Sequence, residues 1–141
     1  MLTWQVWAVL AAVFAALTAI FAKLGVAGIP SEYATFVRTI VVVALLGVIV
    51  TVSGQWRSPA VLGGRGITFL VLSGLATGAS WICYFRALQL GDVARVAPID
   101  KLSVVLVAVF GVTFLGEHLS LPNWLGVALI AAGAMLVAYR A

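Results

Sequence analysis

Apolar residues in this chain come in five long runs, and most of the charged residues fall between them or near their ends. The runs cover about residues 3–24, 33–52, 66–90, 93–115 and 122–139. Each approaches or exceeds the roughly 20 residues that a helix needs to cross a bilayer. Strands of a membrane barrel would alternate polar and apolar residues over about ten positions, and these runs are too long and too uniformly apolar for that. The pattern predicts an all-α integral membrane protein of five transmembrane helices, forming one domain over residues 1–141. Its punctuation fits helix boundaries. Gly25, Gly28 and Pro30 separate the first two runs, while Gly54–Pro59 and Gly63–Gly66 bracket the longest loop. Gly91 closes the third run and Asp92 is placed to cap the fourth. Ser120 precedes Pro122, a cap followed by a proline in the first helical turn.

Composition agrees. The chain is 65% hydrophobic and 9% charged, against about 25% charged in soluble domains, and its mean hydropathy is +1.23. Residues 1–22 carry no charge, and no Lys or Arg precedes the first run. That run is also longer than the apolar region of a signal peptide, so it reads as a retained span. The net charge of +4 is the balance of eight scattered cations against four acids. The cations form no patch for nucleic acid and read as topogenic charges that also meet anionic lipid headgroups. The single cysteine, Cys83, excludes an internal disulfide and a cysteine metal cluster.

Five spans put the termini on opposite faces. Arg57 and Arg65 then lie on the N-terminal side, and Lys23, Arg95 and Arg140 on the other, where Arg38, Arg86 and Lys101 can snorkel. The positive-inside rule favours a cytoplasmic C-terminus. The bias is small, so insertion in both orientations is open.

The adjacent pair Asp100–Lys101 is the most informative chemistry. It lies within the fourth run, with no further charge until Glu117. A central Asp or Lys costs roughly 2.5–3.5 kcal/mol on insertion scales, so such residues need a partner, a water-filled cavity or a transport task. Pro98 cannot donate to the Ala94 carbonyl and predicts a kink there. On a continuous helix Asp100, Ser103, Val107 and Phe110 share one face, with Lys101 about 100° away. Each charge is then expected to need a different partner. The plain alternative is a kinked helix whose two charges snorkel or pair with neighbouring spans.

The third run has a stripe of Ser73, Thr77, Ser80 and Tyr84 flanked by Trp81 and Phe85. It either lines a cavity for an amphipathic solute or packs against another helix through Gly74 and Gly78. Trp4, Trp7, Trp56 and Trp124 fall near span ends and read as interfacial belt; Trp81 does not. In the fifth run Gly126 and Gly133 lie on one face, a candidate dimer or inter-repeat seam. His118 has no second His or Cys to complete a metal site, and Glu117 reads as pairing with a loop cation. No nucleophile–base–acid set or phosphate loop occurs, so an enzyme is not expected, nor a cofactor. The candidate solute-binding residues are Asp100, Lys101, Trp81, Tyr84, Ser103 and Arg38.

Four stretches carry a family resemblance: residues 84–91 (YFRALQLG), 96–99 (VAPI), 114–120 (FLGEHLS) and 124–133 (WLGVALIAAG). In their order and spacing they resemble the EamA-like domain of the drug/metabolite transporter superfamily, and Lys23 looks like that family's position at the end of the first span. The resemblance implies one five-span repeat of a fold that usually carries two inverted repeats. It further implies an antiparallel homodimer with the cavity between protomers. Gly126 and Gly133 resemble the glycine pair on the dimerising last helix of the related small multidrug resistance proteins. The membrane-embedded glutamate of those pumps' first span is absent. Asp100–Ser103 also stands where the family often has a proline in mid-span, which suggests a charged or zwitterionic solute.

These readings converge on a secondary transporter of a small organic metabolite or drug-like solute in the cytoplasmic (inner) membrane, proton-coupled and homodimeric. Asp100 would bind a cation or the coupling proton, Lys101 an anionic group, and Trp81 and Tyr84 would form an apolar wall. The rival readings are a non-transporting subunit or scaffold paired with another five-span protein, and a flippase for a lipid-linked substrate.

Overall fold

The computed structural model describes residues 3–139, so Arg140, one of the charges used for orientation, lies outside the described residues. Six α-helices and one short 3-10 turn follow in order: α1 (Trp4–Gly25), α2 (Ser31–Val52), the 3-10 turn (Pro59–Leu62), α3 (Gly63–Leu90), α4 (Val93–Asp100), α5 (Ser103–Phe114) and α6 (Leu121–Ala138). No strand occurs among the described residues. Five stretches are long and apolar enough to cross a membrane, with the 3-10 turn joined to α3 and α4 joined to α5. The protein is an all-α, multi-pass membrane protein.

Lipid, rather than a protein core, solvates most of the apolar surface. Large side chains such as Phe14, Val43, Leu75 and Leu129 are exposed along their helices. A helix suits that setting because it satisfies its own backbone polar groups. The threonine hydroxyls follow the same logic. Thr35, Thr39, Thr51, Thr68, Thr77 and Thr113 each donate to the carbonyl four residues earlier in their own chain, at 2.7–2.9 Å.

The chain divides into two compact units, one made of residues up to Ile20 with those from Leu90 onward, the other of Phe21–Gln89. In the first unit α4 and α5 both pack on α6, where Ala134 is buried. In the second, Val26, Phe85 and Leu88 are buried apolar residues and Ser31 and Thr35 buried polar ones.

Several helix ends differ in detail from the expectation. Gly63–Gly66 is not loop but the first turn of α3. Ser58 accepts the Ala60 N–H to start the 3-10 turn, and Gly63, at φ +61°, redirects the chain into α3. Asp92 and Ser120 occupy N-cap positions with extended backbone, yet neither side chain accepts a hydrogen bond from its helix. α2 closes with a Schellman motif. Gly54, at φ +63°, lets the N–H of Gln55 reach the Val50 carbonyl and its own N–H reach that of Thr51.

The fourth run departs most. Pro98 lies inside α4, but the helix gives way after Asp100 rather than at the first turn. Leu102 N–H bonds to Ile99 O and Val104 N–H to Lys101 O, three-residue steps that bridge α4 to α5. Lys101 and Leu102 stay in right-handed backbone conformation throughout. The segment is a local tightening rather than a loop.

Candidate functional site

The six candidate binding residues fall into two groups. Asp100, Lys101 and Ser103 belong to the first unit, and Arg38, Trp81 and Tyr84 to the second.

In the first group, Lys101 Nζ donates to Asp100 Oδ2 at 3.2 Å as an ion pair. This corrects the expectation that the two charges address separate partners. That expectation assumed the 100° step of a continuous α-helix, which three-residue hydrogen bonding interrupts at Lys101 and Leu102. The flexible four-carbon stem of lysine covers the remaining gap. Asp100 is about one-third exposed and Lys101 more than half, so the pair remains reachable from outside the chain. Ser103, the first residue of α5, is exposed.

In the second group, Arg38 of α2 lies with its guanidinium carbon 4.0 Å from the centre of the Trp81 ring and 5.5 Å from that of Phe85. Trp81 and Phe85 are one helical turn apart on α3, so one face of that helix offers two rings to one cation. Arg38, Trp81 and Tyr84 are all half-buried and Phe85 is buried. Along the stripe expected on α3, Ser73, Thr77 and Ser80 are exposed and Tyr84 is half-buried. Thr77 uses its hydroxyl proton on the Ser73 carbonyl. A β-carbon added at Gly74 or Gly78 would meet nothing within 4 Å among the described residues.

The same end of α3 carries a polar lattice that composition did not reveal. Lys23 Nζ donates to Leu88 O at 2.6 Å, Gln89 Nε2 to Ile29 O at 2.5 Å, and Arg86 Nη1 to Gln89 Oε1 at 3.2 Å. A cation on the last carbonyls of a helix satisfies groups the helix itself cannot and complements its dipole. Lys23 is therefore more than a topogenic charge. The available signal was a lone lysine closing α1 beside a glycine turn.

Glu117 also differs from expectation. No loop cation lies within ion-pair distance of it among the described residues. Instead its carboxylate lies against α5 at Gly111, where a β-carbon would fall 2.5 Å from Oε2. Its N–H and that of Leu115 converge on the Gly111 carbonyl around Gly116, which has φ +69°. His118 is exposed in the same turn. On α6, Gly126 is half-buried and Gly133 exposed, and a β-carbon on either would meet nothing within 4 Å.

A profile of the EamA-like transporter family matches residues 2–139. An uncharacterized transporter in the cobO 3′ region of Sinorhizobium sp. is 64% identical over 136 residues, 96% of this chain and 96% of that protein. A Saccharomyces cerevisiae protein named as a candidate nucleotide-sugar transporter is 38% identical over 69 residues, which is 48% of this chain and 16% of that protein. No solved structure matches the chain. The family match runs nearly from end to end, and it points to transport of small solutes rather than enzymatic chemistry. The chain belongs to the EamA-like transporter family.

Proposed function

We propose that the protein is a proton-coupled secondary transporter of a small organic solute, working as an antiparallel homodimer in the cytoplasmic membrane. The observation that supports the mechanism is the Asp100–Lys101 ion pair at the junction of α4 and α5. Ion-paired, the two side chains cancel at membrane depth. When Asp100 takes a proton, the pair loses its attraction and Lys101 is freed for an anionic group, with Ser103 adding a hydroxyl at the start of α5. Proton binding and solute binding are thereby linked through one contact, as a coupled carrier requires. Within the second unit, Trp81 and Tyr84 supply an apolar wall and Arg38 is held against Trp81. Residues 1–141 act as a single EamA-like domain.

The homodimer rests on a different feature. Among the described residues, no neighbour lies within 4 Å of a β-carbon at Gly126 or Gly133 on α6, as a close helix–helix contact needs. The near-balanced cations permit both orientations, with the C-terminus cytoplasmic in the protomer that follows the positive-inside bias.

Reconstitution tests the proposal. Proteoliposomes with an internal pH-sensitive dye are expected to show proton movement on addition of a transported solute, found by screening organic acids, amines and zwitterions. Protein-free vesicles should show none. Solute entry with no proton movement under any gradient would remove the coupling. A protein that moves no solute, but assembles with a second five-span chain, would favour the subunit reading.

A further inference from the structure

We infer that Arg38 is an oxyanion receptor, so that the ligand of the second unit carries a carboxylate or phosphate. The inference rests on the transporter reading only for calling that ligand a solute.

Arg38 is seven residues into α2, about 10 Å from its start at 1.5 Å per residue. Its guanidinium lies against aromatic faces, those of Trp81 and Phe85. Among the described residues no carboxylate lies within ion-pair distance of it, and Glu32, the other charge on α2, is exposed near the helix start. Cation–π contacts are worth about 0.5–2 kcal/mol, less than the several kcal/mol that an arginine costs at membrane depth. The rings therefore hold the guanidinium in place without neutralising it.

The geometry also decides which part is left to work. The rings offer the guanidinium π-faces and no oxygen acceptor for its five N–H donors. A planar fork of that kind matches carboxylate or phosphate oxygens two at a time. No buried side-chain nitrogen or oxygen lacks a partner among the described residues, so the unbonded donors of Arg38 are not sealed inside the protein. Lys101 differs on each count: its ammonium is already engaged by Asp100 at 3.2 Å. Arg38 also stays charged at every working pH, so anion binding there does not wait for a proton. Trp81 against the same guanidinium offers apolar surface to the body of the ligand.

The test uses tryptophan fluorescence of the purified full chain in neutral detergent, with four probes of one shape: phenyl phosphate, phenylacetate, phenylacetamide and benzylamine. The two anions are expected to saturate, and the amide and amine to bind at least tenfold more weakly. Arg38→Gln should lose the anions by tenfold or more, and Arg38→Lys should fall between, keeping charge without the fork. Helix content from circular dichroism qualifies each variant; if Arg38→Gln fails to fold, Arg38→Lys carries the comparison. A lipid phosphate has the same chemistry, so the titration is repeated in nanodiscs of phosphatidylcholine with and without one-third phosphatidylglycerol. Phosphatidylglycerol that blocks the soluble anions identifies the oxyanion as a headgroup, while anions that still bind identify a solute. Equal binding of all four probes, or anion binding unchanged in a folded Arg38 variant, overturns the inference. Solute-dependent proton flux without anion binding would sink this inference alone; anion binding without flux would sink only the transport reading.

Discussion

The guanidinium carbon of Arg38 lies 4.0 Å from the centre of the Trp81 ring, bringing α2 and α3 together through a cation on an aromatic face. The contact joins a charge that lipid disfavours to a side chain that tolerates both lipid and charge. Removing the ring should therefore cost stability even where no ligand is present. In a thermodynamic cycle of Arg38→Met and Trp81→Leu, followed by denaturation in mixed micelles, the coupling is expected to be about 0.5–2 kcal/mol. Additive effects of the two substitutions would show that the stack contributes nothing.

Lys23 should matter for the end of α3. Its 2.6 Å bond to the Leu88 carbonyl is charge-assisted, and hydrogen bonds to charged groups contribute about 1.5–3 kcal/mol. Lys23→Met is expected to destabilise the protein by roughly that amount and to speed amide exchange beyond Leu88. Lys23→Arg should recover part of the loss. Exchange at the α3 terminus that does not change in Lys23→Met would contradict the capping role.

These two contacts mark where the sequence was readable and where it was not. Five spans followed directly from run length, because a bilayer imposes one dimension on every span. The division of the fourth run at Asp100 was only half visible: Pro98 announced a disturbance, but its position depends on how hydrogen bonds regroup three residues downstream. The Asp100–Lys101 pair was misread for the same reason, since helical phase holds only while the helix does. Arg38 and Trp81 are 43 positions apart in sequence, and no local pattern links them. Lys23 read as a topology signal because its partner is a backbone carbonyl, which composition does not reveal.

Gly111 and Glu117 offer a test of where the carboxylate rests. A β-carbon at position 111 would fall 2.5 Å from Oε2 of Glu117, the end of a flexible and exposed side chain. Gly111→Ala alone should therefore displace the carboxylate and gain less stability than alanine gains at an open helical site. In a Glu117→Ala background the crowding is gone, and alanine in a helix gains about 0.5–1 kcal/mol over glycine. Thermal denaturation of the four proteins checks this. An equal effect of Gly111→Ala in both backgrounds would show that the carboxylate does not rest there.

The bare glycines of α6 should govern assembly more than folding. Among the described residues nothing lies within 4 Å of a β-carbon at Gly126 or Gly133, so Gly126→Ile with Gly133→Ile is expected to leave helix content unchanged. The same pair should lower energy transfer between labelled chains in liposomes at least tenfold at equal protein-to-lipid ratio. Undiminished transfer would place the contact between copies elsewhere.

The most direct measurement is solute-driven proton flux in proteoliposomes containing wild-type protein, Asp100→Asn or Asp100→Glu, at matched insertion. Asp100→Asn keeps the shape but holds no proton, and it should abolish the flux while the protein still inserts. Asp100→Glu keeps the titrating group and should retain a reduced flux. Wild-type flux in Asp100→Asn would contradict the coupling assigned to the Asp100–Lys101 pair.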